Sequence, residues 1–395
     1  MAKLTNHTKN RTLWFLGVIL LSSVCIILIS SFDIGKATYI NVTRGIKDVA
    51  TITLPEEKEV VPVWPVVLDK AEYDKRILAL ANYVQPKPTI ATTTSEDGSI
   101  ATTTVKGIVP VYATSTSVLV PGKNWPTATP YPNGEAILPF KRILAYYGNF
   151  YSTKMGILGE YEPDEVLRRL EAEKKNWEEA DPTTPVMPAI EYIAMVAQGS
   201  AGKDGMYRAI MPDSEIDKAH ALAEKINGIL ILDLQVGLST IEKELPKFDK
   251  YMMLPNTHLA LDPEFSMKNG QRPSTVIGTM SAHDINYTIN YLSDIVRENK
   301  LPPKILLIHR FTENMVTNSE QIKPTPEVQV VMVMDGWGSK ALKRGTYRAV
   351  IEPEPVQFAG IKIFYKNDLK APSTGLLTPL EVLSLDPKPI FVQYQ

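Results

Sequence analysis

The chain is poor in cysteine and in excess charge of either sign. Its single cysteine, Cys25, lies inside an apolar run, which excludes an intrachain disulfide and a cysteine-based metal site. A formal net charge of −2 supplies no basic surplus for nucleic acid and no acidic tail for solvation or calcium buffering. Two catalytic signatures are also missing. The stretch Gly199-Ser200-Ala201-Gly202-Lys203 lacks the spacing of a phosphate-cradling loop, and no Gly-x-Ser-x-Gly turn supports a serine hydrolase. What is present is 395 residues, 44% of them hydrophobic, enough for one large domain plus an anchor and a smaller N-terminal region.

Residues 13–32, LWFLGVILLSSVCIILISSF, are uncharged and mostly apolar, and a helix of that length spans roughly 30 Å of hydrocarbon. Lys3, Lys9 and Arg11 precede the run and Asp33 follows it, so residues 1–12 are expected in the cytoplasm and the rest of the chain outside. The run exceeds a typical secretory core and no small-x-small cleavage site clearly follows, which favours an uncleaved single-pass anchor over a signal peptide. From residue 33 to about 140 the composition shifts to Thr, Val and Pro, the pattern of an extracytoplasmic spacer. Within it, Ile77, Leu78, Leu80 and Ala81 recur at helical spacing and predict a short amphipathic helix over residues 69–83.

From residue 141 to 395 the character changes to short apolar runs separated by segments with helix signals. Eight strands are expected, at residues 142–149, 187–196, 229–237, 258–265, 305–311, 328–338, 359–366 and 390–394. Their near-continuous apolar content fits strands covered on both faces, as in a parallel sheet. Pro163 opens one intervening helix, and Ser239 to Glu242 and Ser281 to Asp284 both have the form of a capping box. Eight strands alternating with helices over this length predict an α/β fold, a (β/α)8 TIM barrel, preceded by the transmembrane helix and the Thr/Pro-rich spacer. An open doubly wound sheet is the alternative, but no glycine-rich loop follows the first strand. The chain stops at strand eight, so the eighth outer helix is missing. The helix near Asp69 or the segment around Trp125 is expected to cover that gap.

The C-terminal strand ends form the mouth of such a barrel and carry its chemistry. They supply Tyr146, Tyr147 and Asn149 from the first strand, Glu191 from the second, and Asp233 and Gln235 from the third. Asp262 and Glu264 come from the fourth, His309 and Arg310 from the fifth, Asp335 and Trp337 from the sixth, and Tyr365 and Lys366 from the seventh. Five carboxylates at strand ends exceed what a structural barrel needs, since a buried acid without a partner is costly. A carboxylate pair serves glycosidic hydrolysis as acid and as nucleophile or base, with aromatic rings stacking on the sugar. Asp262 and Glu264, two apart and on one face if the strand continues through them, are the leading pair. The competing structural use has Asp262 capping the loop and Glu264 paired with Arg310 or Lys366. Loops at 198–212, 266–280 and 336–339 are expected to shape the cleft.

A barrel with an acid-x-acid motif ending strand four, here Asp262-Pro263-Glu264, resembles the muramidase family of glycoside hydrolases. That resemblance implies peptidoglycan or another polysaccharide as partner, Glu264 as general acid and Asp262 as its electrostatic partner. Strand one, with AYYGNF, lacks the acid that family carries there. Residues 141–395 also resemble uncharacterised membrane-anchored TIM-barrel proteins of bacterial envelopes, a likeness that brings no activity with it. A metal-dependent hydrolase using His258, His283 or His309 is a further alternative. No His-x-His stands at any strand end, and no cofactor or metal is expected. The remaining alternative is a barrel that binds saccharide or an envelope partner without catalysis.

Overall fold

A computed structural model describes residues 64–82, 89–94, 100–105, 119 and 124–395, so the transmembrane candidate at 13–32 lies outside the described residues. Among the described residues no helix is long and apolar enough to cross a membrane. All eight expected strands form: β1 (Arg142–Gly148), β2 (Val186–Ala197), β3 (Ile229–Leu234), β4 (Thr257–Leu261), β5 (Lys304–Arg310), β6 (Val328–Met334), β7 (Phe358–Ile363) and β8 (Phe391–Tyr394). Each runs parallel to the next, and β8 pairs with β1 through Phe391 and Ile143, closing the sheet into a barrel. Closure removes every edge of this sheet except a short antiparallel add-on, Arg208–Ile210, along the end of β2.

Alternation along each strand sorts side chains into two cores. Leu144, Ile190, Leu232, Leu259, Ile308, Met332 and Ile361 face outward, into a layer shared with the outer helices. Those helices are α2 (Pro163–Ala180), α3 (Asp213–Lys225), α4 (Ala282–Asn299), α5 (Lys340–Val350) and the single turn α6 (Pro379–Leu383), following α1 (Lys70–Leu80) in the chain. Asp284 caps α4 as expected, accepting from the Ser281 amide at 2.7 Å. The box expected at Ser239 does not form, because the Ser239 hydroxyl turns to Glu244 rather than Glu242. Between β5 and β6 the chain makes two 3-10 turns and a two-residue strand, Val316–Thr317, where a helix was expected, and Pro324 and Pro326 would interrupt one.

The alternate residues Ile143, Ala145, Ala189, Ile231, Ala260, Leu307, Val331 and Phe391 fill the lower barrel. Tyr73, Ile77 and Leu80 of α1 belong to this cluster together with Trp125 and Leu138. The expected helix near Asp69 therefore packs on the N-terminal end of the barrel and not, as expected, on the outer face beside β8. Burying Tyr73 and Ile77 fully stabilises the lid by about 1.5–3 kcal/mol each. The outer face of β8 is covered by α2, whose Trp177 donates to the Tyr394 hydroxyl at 3.1 Å while Glu173 accepts from it at 2.9 Å. Inside the barrel space is tight. A Cβ on Gly360 would stand 2.9 Å from the Phe391 ring and 3.1 Å from Val333.

Candidate active site

Above the apolar lower layers the barrel interior turns polar. The polar residues that face inward there are Tyr147 on β1, Glu191 midway along β2 with Ile193 beyond it at the cleft, Asp233 just before the end of β3, His309 on β5 and Lys362 on β7. Asp262 and Asp335 follow directly after β4 and β6. Over them lies a cleft of about 660 Å³, a usual size for a small-molecule site, lined among others by Tyr147, Gln235, Asp262, Glu264, Asp335 and Lys362.

Two hydrogen-bonded groups organise the floor. In the first, the Tyr147 hydroxyl donates to Asp233 Oδ2 at 2.8 Å, and the Gln235 amide donates to Asp262 Oδ2 at 3.3 Å. The same amide lies 3.4 Å from the Tyr147 hydroxyl, and its carbonyl accepts from the Ala197 backbone at 3.0 Å. Burial, reinforced by the charge of Glu191, lifts the Asp233 carboxyl to about 6. Burial and then the Asp233 charge push Asp262 well above the usual carboxylate range. Asp262 Oδ1 has no hydrogen-bond partner among the described residues.

The second group is ionic. His309 Nε2 lies 3.1 Å from Glu191 Oε1, and His309 Nδ1 lies 3.4 Å from Asp335 Oδ2. Burial alone would lower the imidazole pKa, but the Glu191 hydrogen bond and the charges of Asp335 and Glu191 outweigh it and raise it to about 9. His309 is therefore an imidazolium at neutral pH. The Lys362 amine completes the set, 3.3 Å from Asp335 Oδ1 and 3.9 Å above the Tyr147 ring. Asp335 thus stands at the cleft with a cation against each oxygen.

Glu264 arrives differently from the sequence expectation. The strand ends at Leu261, and Pro263, which cannot donate to a ladder, opens a 3-10 turn over Pro263–Phe265. Glu264 is therefore not the next same-face residue of a strand, yet the turn still presents it to the cleft. Gly278 holds that turn in place. Its amide donates to the Glu264 carbonyl at 2.7 Å, and a Cβ there would stand 2.6–2.7 Å from three carbonyl oxygens. Burial and the charge of Asp335 raise the Glu264 carboxyl. The structural alternative for the pair does not hold: Asp262 makes no side-chain cap, Arg310 pairs with Glu354, and Lys366 pairs with Glu160 at 2.7 Å.

The other expected residues divide by direction. Tyr147, Gln235, Asp262, Glu264, Asp335 and Trp337 line the cleft, Trp337 as an exposed ring on its rim. Glu191, Asp233 and His309 lie beneath its floor, wholly buried. Three face elsewhere. Tyr146 points outward, its hydroxyl 3.2 Å from that of Tyr365 under α2, because it alternates with Tyr147. Asn149 is buried in the turn after β1 and donates to the Ile193 carbonyl at 3.0 Å. Arg310 also faces outward, binding Glu354 and the Thr312 and Glu313 carbonyls.

Reading only strand ends missed Lys362. Its signal is a cation between two isoleucines in AGIKIFYK, two alternations in from the expected end, while Tyr365 and Lys366 lie past the strand. The metal alternative finds a single candidate among the described residues, Glu242, His283 and Asp284, which includes no residue of the cleft. Asp284 there is already engaged by Lys268 at 2.6 Å and by its own helix cap.

No protein-family model matches the chain, and no curated protein matches it. Among solved structures, a Bacillus subtilis mannanase, BCman, matches over 66% of this chain and 82% of its own, at 12% identity and a TM-score of 0.35. At that identity and score the likeness carries no argument about activity.

Proposed function

We propose that this barrel is a glycoside-hydrolase-like enzyme in which Glu264 gives a proton to the departing sugar oxygen. Asp335 supplies the negative charge that faces the oxocarbenium-like centre, and a water adds its oxygen to that carbon and returns its proton to Glu264. One observation carries the reading: the cleft holds an acid with raised pKa and no side-chain hydrogen bond or ion pair among the described residues, beside a carboxylate held between two cations. An acid whose burial favours its protonated form, beside a carboxylate that faces two cations, has the parts of a proton donor and a charged partner. Asp262 accepts from the Gln235 amide on the floor, where burial and the Asp233 charge favour its neutral form. Trp337 on the rim offers a stacking face for a sugar ring.

The substrate class under this proposal is polysaccharide of the cell envelope or outside the cell, including peptidoglycan. The sequence of residues 13–32 with its flanking charges supports a bilayer anchor holding the barrel on the extracytoplasmic side. Alkaline extraction and protease accessibility of intact cells test that placement. Activity is tested with detergent-purified full-length protein on peptidoglycan and a glycan panel, beside Glu264→Gln and Asp335→Asn. Each substitution should lower turnover on the order of 10²–10⁴-fold. Turnover untouched by both would remove this pair from the chemistry.

A further inference from the structure

We infer, building on the saccharide reading above, that the cleft binds a chain of several sugars running from Glu264 across Lys154, with an arm beside β1 and β7 as a separate binding site. The central cleft does not stop at β8. Lys154, Phe364 and Gln395 form part of its wall and equally part of the wall of a second hollow of about 240 Å³. Three shared wall residues set the two hollows side by side, so that a ligand long enough to pass over them reaches both. The central part alone is large enough for a small ligand, so a single sugar has no use for the arm.

The arm is suited to sugar hydroxyls. Thr153, Glu160, Tyr365, Lys366 and Asn367 line it, and the Glu160–Lys366 ion pair at 2.7 Å fixes its far end. Phe364 at the junction borders both hollows and offers an aromatic wall between them. The amine of Lys154, also at the junction, has no hydrogen bond or ion pair among the described residues, leaving its donors for a ligand. The loop carrying Thr153 and Lys154 is held against the barrel. Gly156 adopts φ +124°, and a Cβ on it would stand 2.3 Å from the Tyr147 carbonyl oxygen. The arm is thus preformed on the same element that supplies Tyr147 to the site.

The test uses full-length Glu264→Gln protein, so that ligands survive, with cello- and chito-oligosaccharides of two to six units and calorimetric Kd values. Affinity should rise at least tenfold from the disaccharide to the hexasaccharide. Thr153→Trp and, independently, Asn367→Trp fill the arm and should abolish that gain while leaving disaccharide binding unchanged. A melting curve confirms folding of each. Affinity independent of chain length, or a gain that survives both tryptophans, would overturn the arm alone. Failure of every length to bind would overturn the saccharide reading and the arm with it.

Discussion

Replacing His309 with glutamine removes the one cation that separates Glu191 from Asp335 beneath the cleft. The imidazole moves from an ordinary value of 6.5 to about 9 on folding, and at about 1.4 kcal/mol per unit that linkage amounts to about 3 kcal/mol. Because the folded value is the higher one, this stability is fully present below about pH 6.5 and is lost as the pH rises through about 9. Lys304 complicates the same window: burial holds its amine down at about 7, so the unfolded chain binds the extra proton and stability rises with pH. The readout is therefore the difference between wild type and His309→Gln in urea midpoints at fixed slope, which cancels Lys304. At pH 6.5 the variant should be weaker by about 3–5 kcal/mol, the cost of breaking a buried pair. By pH 9.5 most of that gap should have closed. A gap that stays constant across the range would show that His309 does not carry its charge into the fold.

Asp262→Asn should be at least as stable as wild type at pH 7, because the wild-type carboxyl already loses stability as the pH climbs from the ordinary value of 3.8 toward its raised folded value. A buried carboxyl with a raised pKa contributes stability only while protonated, and its loss at higher pH disappears in the amide. Thermal midpoints from pH 6 to pH 9 check this, and a variant falling behind wild type as the pH rises would contradict it. Gly360→Ala should cost about 1–3 kcal/mol through the contact with Phe391 and Val333, seen as a lower urea midpoint with unchanged slope.

The barrel was legible because its signal is redundant. Each strand is an apolar run of the right length, and the pattern repeats eight times at spacings that leave room for crossovers. Where the run itself had to give a direction, the reading was weaker. Tyr146 and Tyr147 are chemically alike and adjacent, and only the barrel's closure decides that Tyr147 faces in and Tyr146 faces out. Strand ends drawn two or three residues too long moved the expected mouth of β7 from Lys362 to Tyr365 and Lys366. The lid formed by α1 was unreadable for another reason: an amphipathic helix announces that it buries a face, and nothing in DKAEYDKRILALANY says against what.

The site shows a different limit, and it changes what the Asp262-Pro263-Glu264 motif means. Read along the chain, two acids two residues apart look like one catalytic unit. In the barrel the proline splits them: Asp262 hangs into the floor among Gln235 and Asp233, whereas Glu264 is lifted by the turn into the open cleft. The charges that act on Glu264 come from other strands, first from Asp335 after β6, then from Lys362 on β7 and His309 on β5. An acid is made useful by what lies near it in space, and those neighbours stand 45 to 98 residues further along the chain by their own numbers. The motif therefore supplies the proton donor, and the counter-charge that gives it a partner is contributed by His309, Asp335 and Lys362 through the closure of the barrel.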